Sequence, residues 1–330
     1  MKKKILIAII FIAVFTLITN FIVTNSDFGL KNSKIIWGVN GHTLTSNDYK
    51  AISLDNQFAA LKKEKFSYYR IDVLTDANGK ITSGIELFDD FMKRCKANNI
   101  KVLPNVYLSS IDYNDSPEVC YAKGLKLGSG FAKLYGSYFP VIEISNESEL
   151  KVAIKDNSGN FVRVNNKLQY DQKKLQVILQ FLKGTNDGVK KINPKTKTII
   201  CISGNNTNFL EIVKNNKVNF DIVGTNWYDV NLYAMSEYKS VLKQIKEKIR
   251  KPIWVTELNY REGSTSVSAT VQKIWINNMV DNLSKSKLVD AIFIYQLFDE
   301  DSNLNKPGVP AFEANFGIYK VRNNKIERKF

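Results

Sequence analysis

What most constrains the fold of this chain is an alternation of two hydrophobic periods that begins near residue 35 and continues almost to the C-terminus. Short runs rich in β-branched and aromatic residues read as eight strands: Ile35–Val39, Tyr68–Val73, Lys101–Tyr107, Val141–Ser145, Thr198–Ser203, Ile222–Asn226, Ile253–Glu257 and Ala291–Gln296. The segments between them, Asp48–Lys65, Gly84–Asn98, Ser116–Tyr135, Asp171–Lys191, Asn208–Asn216, Met235–Ile249 and Val267–Ser284, carry helical period. A helix between two strands returns the chain to the same end of the sheet, so the strands are expected to run parallel. A count of eight predicts an α/β fold closed as a single (β/α)8 barrel. The rival is a doubly wound open sheet. It is disfavoured because Gly38-Val39-Asn40-Gly41 lacks the third glycine of a dinucleotide-binding turn and does not lead directly into a helix.

The N-terminus fixes the domain layout. Met1 is followed by Lys2, Lys3 and Lys4, and then no charge occurs from Ile5 to Ser26. This predicts an export segment over residues 1–26, a polar linker over 27–34 and one catalytic domain over 35–330. The apolar stretch is long for a cleavable signal peptide and lacks a small-x-small site, which favours an uncleaved anchor in the cytoplasmic membrane over a cleaved leader. The three lysines would stay on the cytoplasmic side and the domain would lie outside, membrane-anchored or secreted.

The formal charge of +15 could suggest nucleic acid. The lysines, however, fall in scattered pairs such as Lys62-Lys63, Lys173-Lys174 and Lys190-Lys191, on segments of helical period and with no basic stripe interleaved with aromatics. They read as solvated outer faces, so no nucleic-acid partner is expected, while attraction to an anionic cell envelope or acidic polysaccharide stays open. Cys95, Cys120 and Cys201 are too few and too dispersed for a disulfide framework or metal cluster and read as core thiols. The single histidine, His42, excludes His-rich zinc sites and any triad needing a second histidine. Neither a metal nor a cofactor is expected.

The two longest interruptions of the rhythm, Glu147 to Tyr170 and Phe298 to Phe316, follow the carboxyl ends of the fourth and eighth strands, where barrels build their binding faces. Polar and aromatic residues collect at the same ends: Asn40 and His42, Arg70 and Asp72, Asn105 and Tyr107, Asn146 and Glu147, Asn226, Trp227 and Tyr228, Glu257, and Gln296. Glu147 and Glu257 end strands four and seven and would face each other across the barrel mouth. Cleaving an acetal needs one carboxylic acid to protonate the leaving oxygen and one carboxylate to meet the oxocarbenium-like carbon, about 5–5.5 Å apart in a retaining enzyme. Their proton affinities must differ, and Arg70 with neighbouring amide and phenol donors is placed to separate them. The plainer readings are an exposed loop carboxylate for Glu147, and for Glu257 an ion pair with Arg261 or Lys251. Trp227 reads equally well as core or as a sugar platform.

Val141-Ile-Glu-Ile-Ser-Asn146-Glu147 resembles the strand-four Asn-Glu motif of glycoside hydrolase clan A, and Ile253-Trp-Val-Thr-Glu257 resembles its strand-seven motif. Arg70 matches the arginine of strand two, Asn226-Trp227-Tyr228 stands where many members carry His-x-Tyr, and Asn315-Phe316-Gly317-Ile318 resembles the closing Phe-Gly-Leu segment. The resemblance implies that Glu147 is the general acid/base and Glu257 the nucleophile, that Asn146 meets the sugar 2-hydroxyl, and that Tyr228 orients Glu257. Arg70, Asn105, Tyr107, His42, Asn226, Trp227 and Gln296 become candidate substrate contacts. The opening Trp37-Gly38-Val39-Asn40-Gly41-His42 looks most like family 39 and related exopolysaccharide-type hydrolases, with family 5 next. The expected function is a retaining β-glycosidase acting on a cell-surface or secreted polysaccharide. A transglycosylase using the same residues and a non-catalytic glycan-binding barrel are the alternatives.

Overall fold

A computed structural model describes residues 28–30, 34–107, 111–230, 235–322 and 325–330. The expected export segment over residues 1–26 and part of the expected linker lie outside them. Among the described residues no helix is long and apolar enough to cross a membrane.

Eight parallel strands close into a barrel: β1 Ile36–Gly41, β2 Tyr68–Val73, β3 Lys101–Val106, β4 Val141–Asn146, β5 Lys197–Ser203, β6 Ile222–Asp229, β7 Ile253–Tyr260 and β8 Ala291–Ile294. Each strand pairs with its neighbours in chain order, and β1 closes on β8 with Ile36 opposite Ala291 and Val39 opposite Ile294. Among the described residues seven longer helices wrap it: α1 Leu54–Lys63, α2 Ile85–Ala97, α3 Pro117–Tyr135, α4 Gln172–Ile192, α5 Thr207–Asn215, α6 Met235–Ile249 and α7 Ala269–Ser286. Several starts are set by capping chemistry: Ser53, Ser116, Asp171 and Ser268 each accept a backbone N–H three residues on. The cap at Ser53 also explains a difference from the expected single helix over 48–65. The chain there makes one turn at Asn47–Lys50 and starts afresh at Leu54.

The inside of the barrel is layered. At the amino ends of the strands Tyr68, Leu103, Val141, Ile199, Ile222, Trp254, Ala291 and Phe293 pack as an apolar plug. Two to four residues further along, the inward positions turn polar, with Asn40, Arg70, Glu143 and Asn226 all buried. Two β-bulges decide what reaches the mouth. In β7, Thr225 and Asn226 of β6 face Val255 and Glu257, and Ile292 and Ile294 of β8 face Val255 and Leu258, so both neighbours see one extra β7 residue. Strict alternation from the inward Trp254 and Thr256 would send Glu257 outward; the bulge turns it in. In β4 an extra residue between Glu143 and Ser145 sets Asn146 opposite Cys201.

Helices α3 and α4 cross closely on glycines. A Cβ on Gly124 would lie 2.2 Å from the Phe181 carbonyl oxygen, one on Gly128 2.1 Å from that of Thr185, and one on Gly184 2.1 Å from that of Tyr121. Side chains at these sites would push the helix axes apart. Alanine in place of a mid-helix glycine gains about 1 kcal/mol of helix propensity, yet overpacking a rigid backbone contact costs about 1–3 kcal/mol or more. Gly128→Leu is therefore expected to lower stability by about 3 kcal/mol, read as a lower midpoint in urea.

After β8 the described chain makes two short 3-10 turns, Asp301–Asn305 and Ala311–Asn315, and then a hairpin of Tyr319–Arg322 with Lys325–Arg328. Arg328 and Tyr319 tie this hairpin to the buried Glu64. The other insertion, after β4, holds a small hairpin of Arg163–Val164 with Lys167–Leu168. Cys95, Cys120 and Cys201 are free and buried.

Candidate active site

Arg70 is the hub of the polar layer. From β2 it is 3% exposed and forks onto Glu143, with Nε donating to Oε2 at 2.7 Å and Nη2 to Oε1 at 2.6 Å. Its Nη1 donates to Asn40 Oδ1 at 2.6 Å and to Glu257 Oε1 at 2.9 Å. Asn40 in turn donates to the carbonyls of Thr256, the bulge residue, and Ile294. The second oxygen of Glu257 accepts the Tyr228 hydroxyl at 2.5 Å. Glu257 thus receives two donors, one of them cationic, which fix the position of its carboxyl group.

Glu147 sits in a different environment. It ends β4 in the left-handed region, φ 49°, and starts the single helical turn Ser148–Val152. A non-glycine residue held there is energetically disfavoured, and its main-chain N–H is anchored on the Cys201 carbonyl at 3.1 Å. Its Oε1 accepts Asn226 Nδ2 at 2.9 Å. Asn226 is oriented by Thr256, whose hydroxyl donates to its Oδ1 at 2.8 Å, and it also donates to Asn146 Oδ1 at 3.0 Å. Burial first, and then the negative charge of Glu257, push the Glu147 carboxyl up to about 7, against the opposing pull of Asn226, Ser203 and Arg70. The two glutamates feel each other's charge, and only Glu257 is bonded to the arginine.

The remaining groups line a cleft of about 760 Å³ that includes His42, Asp72, Tyr107, Tyr295, Glu300 and Glu313. His42 Nδ1 lies 2.6 Å from Glu300 Oε2 and Nε2 lies 3.4 Å from Asp72 Oδ2. Burial would lower its basicity, but the hydrogen bond to Glu300 and the charges of Asp72 and Glu300 outweigh it and bring the imidazole to about 9, cationic at neutral pH. Asp72 also accepts Asn105 Nδ2 at 2.9 Å and the Tyr107 hydroxyl at 3.4 Å. Glu313 is pushed up to about 7 by burial and the charge of Glu257.

The structure therefore brings Glu147, Glu257, Arg70, Asn146, Asn226 and Tyr228 into one hydrogen-bonded group, with His42 and Tyr107 on the cleft wall. Two expected substrate contacts, Trp227 and Gln296, lie elsewhere. Trp227 points away from the mouth: it is 5% exposed and stacks on Tyr238 of α6 at 4.1 Å, because inward Asn226 and Tyr228 leave it the outer face of β6. Gln296 is fully buried, its main chain paired with Phe316 and Ile318, since β8 ends at Ile294 and Tyr295 takes the cleft position. Asn105 and Asn226 are buried, the first donating to Asp72 and the second to Glu147. Glu143, Asp72, Tyr295, Glu300 and Glu313 were not singled out as site residues from sequence. Asp72 shares the face of Arg70 two residues on, and Glu300 and Glu313 lie in the long segment after strand eight.

Residues 135–319, over half of the chain, match the model of a known family, glycosyl hydrolase family 53. The fold is similar to that of a β-glucosidase from Thermotoga maritima in complex with deoxynojirimycin, with a TM-score of 0.66 and 10% identity over 92% of this chain and 96% of that one. The complex of that enzyme with noeuromycin gives 0.65 and 10%, and a structure described as family 1 β-glucosidase from the same organism gives 0.65 and 11%, both with the same coverage. No curated protein matches the sequence. Fold and family together define a glycoside hydrolase on a clan A (β/α)8 barrel. The chain belongs to glycosyl hydrolase family 53; the family model that matches is neither 39 nor 5, the families its opening segment resembles.

Proposed function

We propose that this glycoside hydrolase is a retaining β-glycosidase with Glu257 as nucleophile and Glu147 as general acid/base. The observation that carries the reading is the unequal treatment of two facing carboxyls. Glu257 is held by Arg70 and Tyr228, whereas Glu147 is desolvated to about 7 and keeps its proton near neutrality. In the first step a Glu257 oxygen attacks the anomeric carbon as the glycosidic C–O bond breaks, and the Glu147 proton passes to the leaving oxygen. In the second, water attacks that carbon, Glu147 takes its proton, and the ester bond to Glu257 breaks. By its likeness to the clan motif Asn146 would meet the 2-hydroxyl, while Tyr107, His42, Tyr295 and Glu313 on the cleft wall offer contacts to further hydroxyls.

The two long loops at the mouth and the open cleft suit a polysaccharide. The charged start followed by an uncharged apolar run from Ile5 to Ser26 supports action outside the cytoplasm on a cell-surface or secreted glycan. The test is turnover of aryl β-glycosides and β-glycan oligosaccharides by the full chain, with proton NMR of the first product. Retention at the anomeric carbon is the expected result, and inversion would remove the double-displacement reading. Saturable glycan binding without turnover would point instead to a binding barrel.

A pH dependence follows from Glu147. The acid must be protonated to act, so kcat/KM is expected to hold below about pH 7 and to fall tenfold per unit above it, following the raised carboxyl. In Glu147→Gln that alkaline limb should be gone, which a pH series of initial rates would show.

A further inference from the structure

Next to the acid/base glutamate stands a second buried carboxyl that the reaction itself does not use. Glu149 is fully buried one position past the start of the turn Ser148–Val152. Its Oε1 accepts the Ser203 backbone N–H at 2.6 Å and Asn206 Nδ2 at 3.3 Å, while Oε2 has no partner among the described residues. Ser203 ends β5 and pairs with Asn226 across the sheet, and its side chain opposes the rise of the Glu147 carboxyl. Asn206 is gripped from the other side by Arg163 of the loop hairpin, Nη2 to Oδ1 at 3.0 Å. The charged and titratable groups that bear on Glu149 are Glu147, Tyr170 and, beyond Asn206, Arg163.

We infer that Glu149 is a positioning residue for Glu147: its carboxyl clamps the end of β5 to the turn after β4, so that Ser203 and Asn226 hold the acid/base group at the leaving-group oxygen. The inference rests on the reading of Glu147 as general acid. A full negative charge is not needed for this clamp, since both bonded donors are neutral and use the same oxygen. Burial pushes the group up to about 8, so at neutral pH it is the uncharged acid and adds no second anion beside Glu147. Glutamine keeps the accepting oxygen and the shape; aspartate keeps the acid but draws the oxygen back by one methylene.

The test uses the full chain and, on the sugar that the aryl β-glycoside panel selects, a phenyl glycoside, which needs protonation to leave, and a dinitrophenyl glycoside, which does not. A displaced general acid hurts only the first. Glu149→Asp and Glu149→Ala are expected to lower kcat/KM on the phenyl glycoside by about 100-fold, the scale of an ångström-level misplacement, and on the dinitrophenyl glycoside by less than about threefold. Glu149→Gln should recover most of the loss. Equal losses on both substrates, matched by a fall in folded fraction, would make Glu149 a structural prop and overturn the inference. If Glu147→Gln itself shows no leaving-group dependence, or the wild-type chain turns over nothing in the panel, the acid assignment fails and the inference goes with it. Of the two disruptive variants aspartate removes less of the side chain, so it carries the result if the alanine variant does not fold.

Discussion

Glu257→Gln is expected to remove turnover almost completely, on the order of 10⁵-fold in kcat/KM, whatever the leaving group. A carboxamide cannot attack the anomeric carbon to form the ester. The substitution should leave the site otherwise intact: glutamine can still accept from Arg70 Nη1 on its oxygen, and its amide can donate to a Tyr228 hydroxyl that turns to accept. Glu147→Gln should behave differently. It removes a proton donor and so costs about 10²–10⁴-fold on a poor leaving group but far less on one that departs unaided. Measuring both variants on a leaving-group series separates the roles. Equal losses across the series for Glu147→Gln would sink its assignment as the acid.

The contrast between the two glutamates was only partly legible in the sequence. Strand existence and order followed from period, because eight apolar runs separated by helical segments leave few parallel closures. Position did the rest for Asn146-Glu147 and Thr256-Glu257, each at the end of a strand with strands five and six between them. What period could not supply is parity past a bulge. Counting by twos from Trp254 directs Glu257 outward, and only the register of β7 against both neighbours shows the added residue that turns it in. A similar limit explains Gln296: the count was carried past Ile294, where β8 stops. Trp227 is the reverse case, since parity alone, applied to Asn226 and Tyr228, sends it outward against α6. Glu143 and Glu149 flank the Asn-Glu pair without standing out in the sequence, yet both are fully buried and bonded, one to Arg70 and one to Ser203. Burial of a charge within a strand or turn depends on partners distant in sequence, and no local pattern announces them.

Those distant partners make Arg70 the residue whose loss should do most harm to the fold itself. Arg70→Met leaves Glu143, fully buried, without the fork that neutralises it, and leaves Glu257 without its cation. Removing one partner of a buried ion pair typically costs about 3–5 kcal/mol, enough to lower the thermal midpoint by roughly 5–8 °C in a domain of this size. Arg70→Lys should recover only part of it, because one ammonium cannot span Glu143, Asn40 and Glu257 as the planar fork does. The informative variant is the double one, Arg70→Met with Glu143→Leu. Replacing a buried pair by apolar groups is often close to neutral in stability, so most of the lost midpoint should return. Turnover should not, since Glu257 still lacks the guanidinium that holds its carboxylate in place. Thermal unfolding and kcat/KM measured side by side would then divide the work of one side chain between Glu143, for the barrel, and Glu257, for the chemistry. Recovery of turnover together with stability would show that Arg70 acts on the reaction only by keeping the barrel folded.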